Sequence, residues 1–369
     1  MNLQKVHIAY FCPSKSWGGL EMNQRRNAVW MQERGWKVSV IVQKGSKACQ
    51  NAKKEGVDTI IVDQHRKYYD VKNTFRLTKQ LKEYQITHLI VRDPKDMNIC
   101  AMAKTFSQNK IFLAYFMEMQ VGIPKKDWIH TVRFNKFDLW SCPLSWLENQ
   151  VHQQTRFPKD KTVVIPSGLA LEKFLEPVDP CTAKVSIGLN PKREYIGLVG
   201  RFDKQKQQLL LLQAFLKIKD KIEHDIVFLG ESTHGESQNY LNQLKTFVHE
   251  NKLEDRVHFK PFRSDVETFY KAIDVFVMAT VSETFGMVTV EAMATGSKVV
   301  GSNRGGTVEL LGDGDFGYLF DAKNSSSLAN QLVAAISDTD FDKNSVMKET
   351  KRFDAQEVCK KVEHSLEIR

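Results

Sequence analysis

The sequence has no stretch that would place it within a membrane or in a secretory compartment. Its 369 residues include no uninterrupted apolar run of the roughly 18 that a membrane-spanning helix needs. The opening, MNLQKVHIAYFCP, lacks the basic start, apolar stretch and small-residue cleavage site of a signal peptide. We therefore expect the protein to be made and kept in the cytoplasm.

Paired cysteines are missing as well. The six cysteines are scattered without a CxxC pair, which argues against both a disulfide framework and a zinc site. We expect them to be reduced and partly buried. Apolar residues make up 42% of the chain and charged residues 26%, as in an ordinary soluble globular protein, so disorder is not indicated.

Charge is distributed unevenly along the chain. Residues 1–170 hold 27 Lys and Arg against 14 Asp and Glu, whereas residues 171–369 hold 26 against 30. A basic N-terminal half predicts an anionic partner that meets this half only. No nucleic-acid module is recognisable, so we expect a phospholipid surface or an anionic lipid-linked acceptor rather than nucleic acid. A merely solvated basic surface is the alternative.

Short β-rich apolar runs alternate with longer amphipathic segments, a pattern typical of parallel sheets with crossover helices. Seven runs, from VHIAYF to TVVIPS, precede a Pro- and Gly-containing junction, Ile165–Pro180, and six, from YIGLVGRF to GYLF, follow it. The pattern predicts two doubly wound domains, residues 1–170 and 171–352. Residues 353–369 are predicted to form a C-terminal helix that packs back toward the N-terminal domain.

Ligands of doubly wound domains bind just beyond the carboxyl ends of the strands, and four loops lie there. After the first strand, Gly18 and Gly19 precede a helix, so the backbone can approach an anion at the helix N-terminus. These glycines are adjacent and do not form the GxGxxG fingerprint, which weakens a dehydrogenase interpretation. A simple strand-to-helix turn explains them about equally well.

The second loop, GRFDKQKQ, is basic. Arg201, Lys204 and Lys206 follow the predicted strand YIGLVG. Arginine can bind a phosphate through two parallel hydrogen bonds, and lysine adds a mobile charge, so the loop suits a diphosphate. A solvated basic loop is the alternative.

The third loop opens the stretch SETFGMVTVEAMATG, which follows a strand that ends near Thr280. Glu283 is predicted to lie in the loop, ahead of a helix of about Phe285–Thr295. The backbone amides of the first helical turn, those of Gly286, Met287 and Val288, can donate hydrogen bonds to a phosphate. Glu291 lies inside this apolar helix, where its carboxylate needs a partner. A vicinal diol would provide one, and exposure to solvent is the alternative.

The fourth loop, in KVVGSNRGGTVE, contains Gly305 and Gly306, which permit close backbone approach or form an ordinary tight turn. Taken together, the four loops resemble glycosyltransferase family 4. GGLE, VIPSG, GRFDKQKQ and SETFGMVTVEAMATGSKVVGSNRGGTVE occur in the order of that family and cover nearly the whole chain. The Glu, seven residues, Glu arrangement is the most specific of these signals.

The resemblance implies an α/β protein of the GT-B fold, with two Rossmann-like doubly wound domains that face each other across a cleft. The N-terminal domain would bind the acceptor and the C-terminal domain the nucleotide sugar. Arg201 and Lys206 would hold the diphosphate, assisted by Gly18 and Gly19. Glu283 would contact the sugar of the nucleotide sugar, and Glu291 its ribose. Phe262 and Arg263 would lie beside the base. The other expected contacts to the nucleotide sugar are at the helix start: Phe285, Gly286, Met287 and Val288.

One position departs from the family. Many members carry a histidine near the sugar, after the fifth strand, whereas LAYFMEMQVGIPKKD has Glu118 and no histidine. Glu118 is therefore either a contact to the donor sugar or acceptor, with a catalytic role, or a local structural acid. The substitution leaves recognition of the donor sugar open.

The leading hypothesis is a retaining, metal-independent hexosyltransferase without a cofactor. It would use a UDP-sugar donor and a glycan or lipid-linked acceptor in polysaccharide or lipopolysaccharide biosynthesis, peripherally on the cytoplasmic face of the inner membrane. No convincing Asp-x-Asp metal pair follows a strand, in keeping with that expectation. The alternatives are a non-catalytic nucleotide-sugar-binding or scaffold subunit, which Glu118 keeps open, and a nucleotide-sugar epimerase.

Overall fold

The computed structural model describes residues 6–108, 110–232 and 237–366. Residues 1–5 of the predicted N-terminal domain and 367–369 of the predicted C-terminal helix lie outside these ranges. The chain separates into two compact units. The first comprises the chain up to Gly168 together with the chain from Phe353 onward, and the second comprises Leu169–Arg352.

The first unit is built on a sheet of seven parallel strands in the order β3-β2-β1-β4-β5-β6-β7. Each predicted β-rich run of the N-terminal half contains one strand, which confirms these predictions. The strands are β1 His7–Cys12, β2 Lys37–Gln43, β3 Asp58–Val62, β4 His88–Val91, β5 Phe112–Phe116, β6 Leu139–Cys142 and β7 Thr162–Val164. The order reverses between β1 and β4, where doubly wound sheets bind ligands.

The second unit repeats the design with six parallel strands in the order β10-β9-β8-β11-β12-β13. All six predicted runs are again strands. They are β8 Tyr195–Val199, β9 Asp225–Leu229, β10 Val257–Lys260, β11 Val275–Met278, β12 Lys298–Ser302 and β13 Tyr318–Phe320. In this sheet β8 and β11 are neighbours, so the loops that follow them leave the same edge side by side.

Helices connect the strands throughout the described residues. The first unit contains α1 Gly19–Glu33, α2 Lys47–Lys54, α3 Val71–Glu83, α4 Met97–Phe106, α5 Trp128–Phe134, α6 Ser145–Gln154 and α16 Ala355–Ser365. The second unit contains α7 Glu172–Leu175, α8 Pro180–Ser186, α9 Gln208–Ile218, α10 Ser237–Glu250, α11 Val266–Lys271, α12 Met287–Ala294, α13 Gly306–Leu310, α14 Ser325–Ser337 and α15 Lys343–Glu349. Short polar side chains cap the N-termini of several helices. Ser46 and Asp70 are examples, and their side-chain oxygens accept hydrogen bonds from first-turn amides.

The first sheet is covered on both faces, which explains why its strands are almost continuously apolar. Helices α3, α4, α5 and α6 contribute to the core on one face, and α1, α2 and α16 to the core on the other. Just after α1, the Arg34 guanidinium is 2.6 Å from the Glu363 carboxylate of α16, and the indole of Trp36 donates to the same carboxylate at 2.8 Å. The C-terminal helix is thus part of the first unit.

All six cysteines lie in the described ranges as free thiols, and only Cys181 is exposed. Within the described residues, no helix combines the length and apolarity needed to cross a bilayer.

Candidate active site

Three loops of the second unit meet at the carboxyl edge of its sheet, because β8, β11 and β12 are parallel neighbours. They carry the basic residues after β8, Glu283 after β11 and Gly305 after β12. The sequence placed each loop just after a strand, where a ligand can bind, with a solvated loop or an ordinary turn as the alternative, and the strand order brings the three loops together.

Lys206 and Glu283 form an ion pair in this loop cluster. The Lys206 ammonium donates to Oε2 of Glu283 at 3.0 Å. The side chains of Lys206 and Glu283 are 25% and 22% exposed, respectively, so the pair is reachable from solvent. A lysine ammonium has three donors, and the contact with Glu283 uses one of them.

The backbone of Glu283 is held by the loop after β12. The Gly306 amide donates to the carbonyl of Glu283 at 2.9 Å. Gly305 has φ +65°, and a Cβ at that position would lie 2.5 Å from the same carbonyl oxygen. Only glycine fits both the positive φ and the close approach, so the structure itself requires glycine at one of the two paired positions.

Arg201 lies in the same loop cluster with most of its side chain in solvent. It is 61% exposed, and its guanidinium is 3.4 Å from the carboxylate of Asp203. Asp203 also accepts from the backbone amide of Gln205 at 2.9 Å, which fixes the 3-10 helix Lys204–Lys206. The Arg201 guanidinium is therefore attached to an ordered loop but remains accessible to an anion.

Helix α12 begins two residues later than the sequence predicts. The predicted start was Phe285, whereas the helix runs Met287–Ala294 and Gly286 precedes it with φ +97°. Phe285 is buried in the loop. The first amides of a helix have no partner within it, so Met287 and Val288 lack intrahelical acceptors. Gly286, just before them, lies close to Glu283, since a Cβ there would be 3.3 Å from Cγ of Glu283.

Glu291 is buried in α12 and hydrogen-bonded. The hydroxyl of Tyr270, on α11, donates to its Oε2 at 2.9 Å. Burial, followed by the nearby Glu291 charge, raises the pKa of Tyr270 well above its usual range. The prediction that Glu291 is not simply solvated holds, but sequence reasoning missed the tyrosine that orients it. The predicted contact to a ribose stays a prediction.

The residues predicted to border a base follow β10. Phe262 is an exposed aromatic side chain, and the Arg263 guanidinium lies 2.6 Å from Asp265. An exposed ring can stack on a base, so the local geometry is compatible with that role, which remains a prediction.

In the first unit, Glu118 is buried in an ion pair with Arg92. The amide of Asn23 also donates to the carboxylate, at 3.2 Å. Burial raises the pKa of Glu118, while the Arg92 and Asn23 contacts oppose the rise. This arrangement fits the structural alternative. Sequence reasoning missed Arg92, although its place directly after β4 was a signal that could have identified it.

The paired glycines after β1 begin helix α1. The amide of Gly18 donates to Oε2 of Glu21 at 2.9 Å, which starts the helix. A Cβ at Gly19 would meet nothing within 4 Å, so packing within the unit does not require glycine there. The predicted phosphate contact of Gly18 and Gly19 stays a prediction.

A polar pocket of about 340 Å³ lies at the carboxyl edge of the first sheet. Its walls include a buried pair, in which Nε2 of His65 lies 2.9 Å from Oδ1 of Asp96, and three lysines, Lys15, Lys67 and Lys95. Burial raises the pKa of Asp96 to about 6. Burial lowers the pKa of His65, but its hydrogen bonds to Asp96 and to the Arg66 carbonyl raise it by more. Sequence reasoning did not identify this pocket.

No group of three or more His, Cys, Asp or Glu side chains within the described ranges has the arrangement of a metal site.

Comparison with known proteins first identifies the fold. A glycosyltransferase from Rickettsia africae ESF-5 superimposes with a TM-score of 0.86 at 18% identity, over 98% of both chains. Anabaena Alr3699/HepE, solved with UDP, gives 0.85 at 20% identity, over 99% of this chain and 100% of that one. The chain therefore has the α/β GT-B fold, which confirms the predicted fold class.

The sequence comparison then points to a family. Residues 182–352, within the second unit, match the model of the glycosyl transferases group 1. The lipopolysaccharide core biosynthesis mannosyltransferase LpsB of Rhizobium meliloti is 29% identical over 178 residues, which are 47% of this chain and 50% of that protein. The chain thus spans about half the length of this curated relative. These findings support a glycosyltransferase of the GT-B fold.

Proposed function

We propose that the protein is a retaining, metal-independent glycosyltransferase that transfers a hexose from a UDP-sugar to a glycan or lipid-linked acceptor. The observation that carries this proposal is the reachable Lys206–Glu283 pair, which places a cation and a carboxylate at the carboxyl edge of the second sheet. The UDP bound by the structurally similar Anabaena protein supports the choice of nucleotide.

In the proposed complex, Arg201 and Lys206 bind the diphosphate, and first-turn amides of α12 add further donors. Lys206 keeps its contact to Glu283 with one N–H and gives another to a phosphate oxygen. Glu283 then accepts hydrogen bonds from sugar hydroxyls, held in place by Lys206 and the Gly306 amide. Glu291, oriented by Tyr270, accepts from the ribose.

The proposed reaction takes place on one face of the sugar. The bond from the anomeric carbon to the diphosphate oxygen breaks, and the acceptor oxygen bonds to the same carbon from the same side. The acceptor proton passes to the departing phosphate oxygen, so no protein base is needed. Positive side chains and helix amides stabilise the charge that develops on the leaving diphosphate, which is the main catalytic contribution.

The first unit is proposed to bind the acceptor in its polar pocket. Lys15, Lys67 and Lys95 surround hydroxyl, amide and carboxylate groups there, a combination suited to an anionic sugar or a phosphorylated lipid headgroup. With the basic N-terminal half, this fits synthesis of a polysaccharide or lipopolysaccharide at the cytoplasmic face of the inner membrane.

A thermal-shift series with UDP, GDP, ADP and their sugars tests the donor. A ligand present at about one hundred times its dissociation constant adds roughly 2.7 kcal/mol to the free energy of unfolding. We expect UDP to raise the melting temperature and the other nucleotides to have little effect. Stabilisation by GDP or ADP alone would contradict the UDP assignment, and no stabilisation by any nucleotide would contradict the proposed function.

A second measurement separates transfer from binding alone. Incubation of the stabilising UDP-sugar with a membrane extract and the protein should release UDP and label the lipid fraction. UDP-sugar binding without release or labelling would favour the non-catalytic subunit. Isomerisation of the free UDP-sugar would instead favour an epimerase.

A further inference from the structure

The first unit exposes large apolar side chains in two short segments, residues 68–69 and 123–132. Together these residues are called the apolar surface: Tyr68, Tyr69, Ile123, Trp128, Ile129 and Val132. Trp128 is 73% exposed, Ile123 74% and Tyr69 75%. A soluble protein rarely leaves so many large apolar side chains close together in water unless something covers them.

Helix α5 presents three of its apolar residues away from the core. At about 100° per residue, Trp128, Ile129 and Val132 fall within roughly one third of the helix circumference. Phe134, the buried residue of this helix, points to the opposite side. The exposed apolar face of α5 therefore makes no contribution to the core of the unit.

Cations surround the apolar surface. Burial lowers the pKa of Lys125, and the charges of Arg133 and Lys67 lower it further, so these three cations lie close together. Tyr68 belongs to the same group, since it affects the pKa of both Lys125 and Arg133, and Lys67 lies 5.1 Å from its ring centre.

These cations lack a carboxylate partner among the described residues, although the Lys125 ammonium donates to the carbonyl of Val121 at 2.8 Å. Lys67, Lys125 and Arg133 form no ion pair with a carboxylate in the part of the chain that the structure describes. The acid of this segment, Asp127, is instead 2.5 Å from Nδ1 of His130. No carboxylate pair therefore neutralises Lys67, Lys125 and Arg133 beside the apolar side chains.

We propose that the apolar surface docks the protein on an anionic phospholipid bilayer. Trp128, Ile129 and Val132 enter the boundary between headgroups and acyl chains, as amphipathic helices in a membrane plane do. The surrounding lysines and arginine contact lipid phosphates. Tyrosine and tryptophan beside lysine and arginine suit the bilayer interface, where amphipathic rings sit at the level of the headgroups and anionic lipids attract cations. This inference deepens the proposed function by naming the surface that would bring the enzyme to a lipid-linked acceptor.

Vesicle co-sedimentation tests the proposal with the full chain. Vesicles of phosphatidylcholine with phosphatidylglycerol are compared with phosphatidylcholine alone, at low and high salt. The wild type should bind the anionic vesicles, and binding should weaken with salt. The double variant Trp128→Ser/Val132→Ser should lower the partition coefficient at least tenfold, and Lys67→Gln about fivefold on anionic vesicles only.

A matched control comes from the second unit. Val178→Ser/Val185→Ser also removes two exposed apolar side chains and should change the partition coefficient by less than twofold. Thermal melts establish that each variant is folded, and UDP should stabilise the two double variants as much as the wild type. Nucleotide stabilisation therefore reports on the proposed function separately from membrane binding.

Two results would overturn the membrane assignment. One is a wild type that stays in the supernatant with every vesicle composition, and the other is equal vesicle binding by the wild type and Trp128→Ser/Val132→Ser. Self-association that the double variant abolishes, without vesicle binding, would assign the surface to a second copy of the chain instead.

Discussion

The two units share a parallel, doubly wound topology but differ in how they place charge at the carboxyl edge of the sheet. At this edge of the first unit, two charge pairs are buried, Arg92 with Glu118 and His65 with Asp96, and each of their side chains is at most 10% exposed. In the second unit the Lys206–Glu283 pair is more than twice as exposed, and Arg201 is 61% exposed.

This difference has a physical consequence for function. A buried ion pair cannot lose one member without leaving an uncompensated charge in a low-dielectric environment. A partly exposed pair is stabilised by solvent, so its members can exchange contacts with a ligand at little cost. The edge of the second unit is therefore suited to binding an anion, and the Arg92–Glu118 pair of the first unit is suited to holding its loops in place.

The largest expected effect is on the stability of the first unit. Glu118→Ala should lower its free energy of unfolding by about 3–5 kcal/mol, because it leaves the Arg92 guanidinium buried and unpaired. Urea denaturation followed by fluorescence measures the change. Asp63→Ala is the matched control, since the Asp63–Arg76 pair is exposed and should contribute at most about 1 kcal/mol.

A double variant separates the structural role of Glu118 from a sugar contact. Arg92→Met/Glu118→Leu removes both charges at once, which should restore most of the lost stability. We expect sugar transfer to return with it. If stability returns while transfer stays below one hundredth of the wild-type rate, Glu118 contacts the donor sugar or acceptor after all.

The next effect concerns the reachable pair in the second unit. Glu283→Ala should reduce transfer by about 10²–10³-fold, the range seen when one preorganised electrostatic contact is removed. UDP affinity should change by less than about threefold, because the carboxylate is assigned to the sugar rather than the diphosphate. Initial transfer rates and calorimetric titration with UDP measure the two quantities.

Lys206→Ala is the control for that prediction, since it removes the other member of the same ion pair. It should weaken both UDP binding and transfer. An equal loss of UDP affinity and transfer in Glu283→Ala would show that the carboxylate acts mainly by positioning Lys206, and the assignment to the sugar would be wrong.

The strands could be predicted from sequence because parallel strands covered on both faces are read directly as apolar runs. The start of α12 was misplaced by two residues, since the helix pattern does not reveal that Gly286 adopts a left-handed conformation. Periodicity places a residue on an element but does not reveal backbone conformations that glycine alone adopts readily.

Side-chain partners were the least predictable part of the site. Glu283 and Glu291 were identified as functional candidates from their position after a strand, but Lys206 lies 77 residues from Glu283 and Tyr270 lies 21 residues from Glu291. Contacts of that kind depend on the strand order β8-β11 and on helix packing. Spacing along one sequence carries no direct information about either.

The smallest expected effect belongs to the exposed Arg201. Arg201→Ala should weaken UDP binding by about tenfold, or roughly 1.4 kcal/mol. The effect is modest because removal of a solvated guanidinium costs less binding free energy than removal of a buried one. Calorimetric titration measures this affinity. The stability of the free protein should stay nearly unchanged, since the 3.4 Å contact to Asp203 is an exposed one.

Lys204→Ala provides the matched control, because Lys204 lies in the same basic loop but has no assigned ligand contact. Its UDP affinity should stay within about twofold of the wild type, and raising the salt concentration should weaken binding less in Arg201→Ala than in the control. Equal losses in both variants would mean that the loop attracts the nucleotide through its overall charge. A specific loss in Arg201→Ala would instead follow from a directional guanidinium–phosphate contact, which only an accessible arginine in an ordered loop can make.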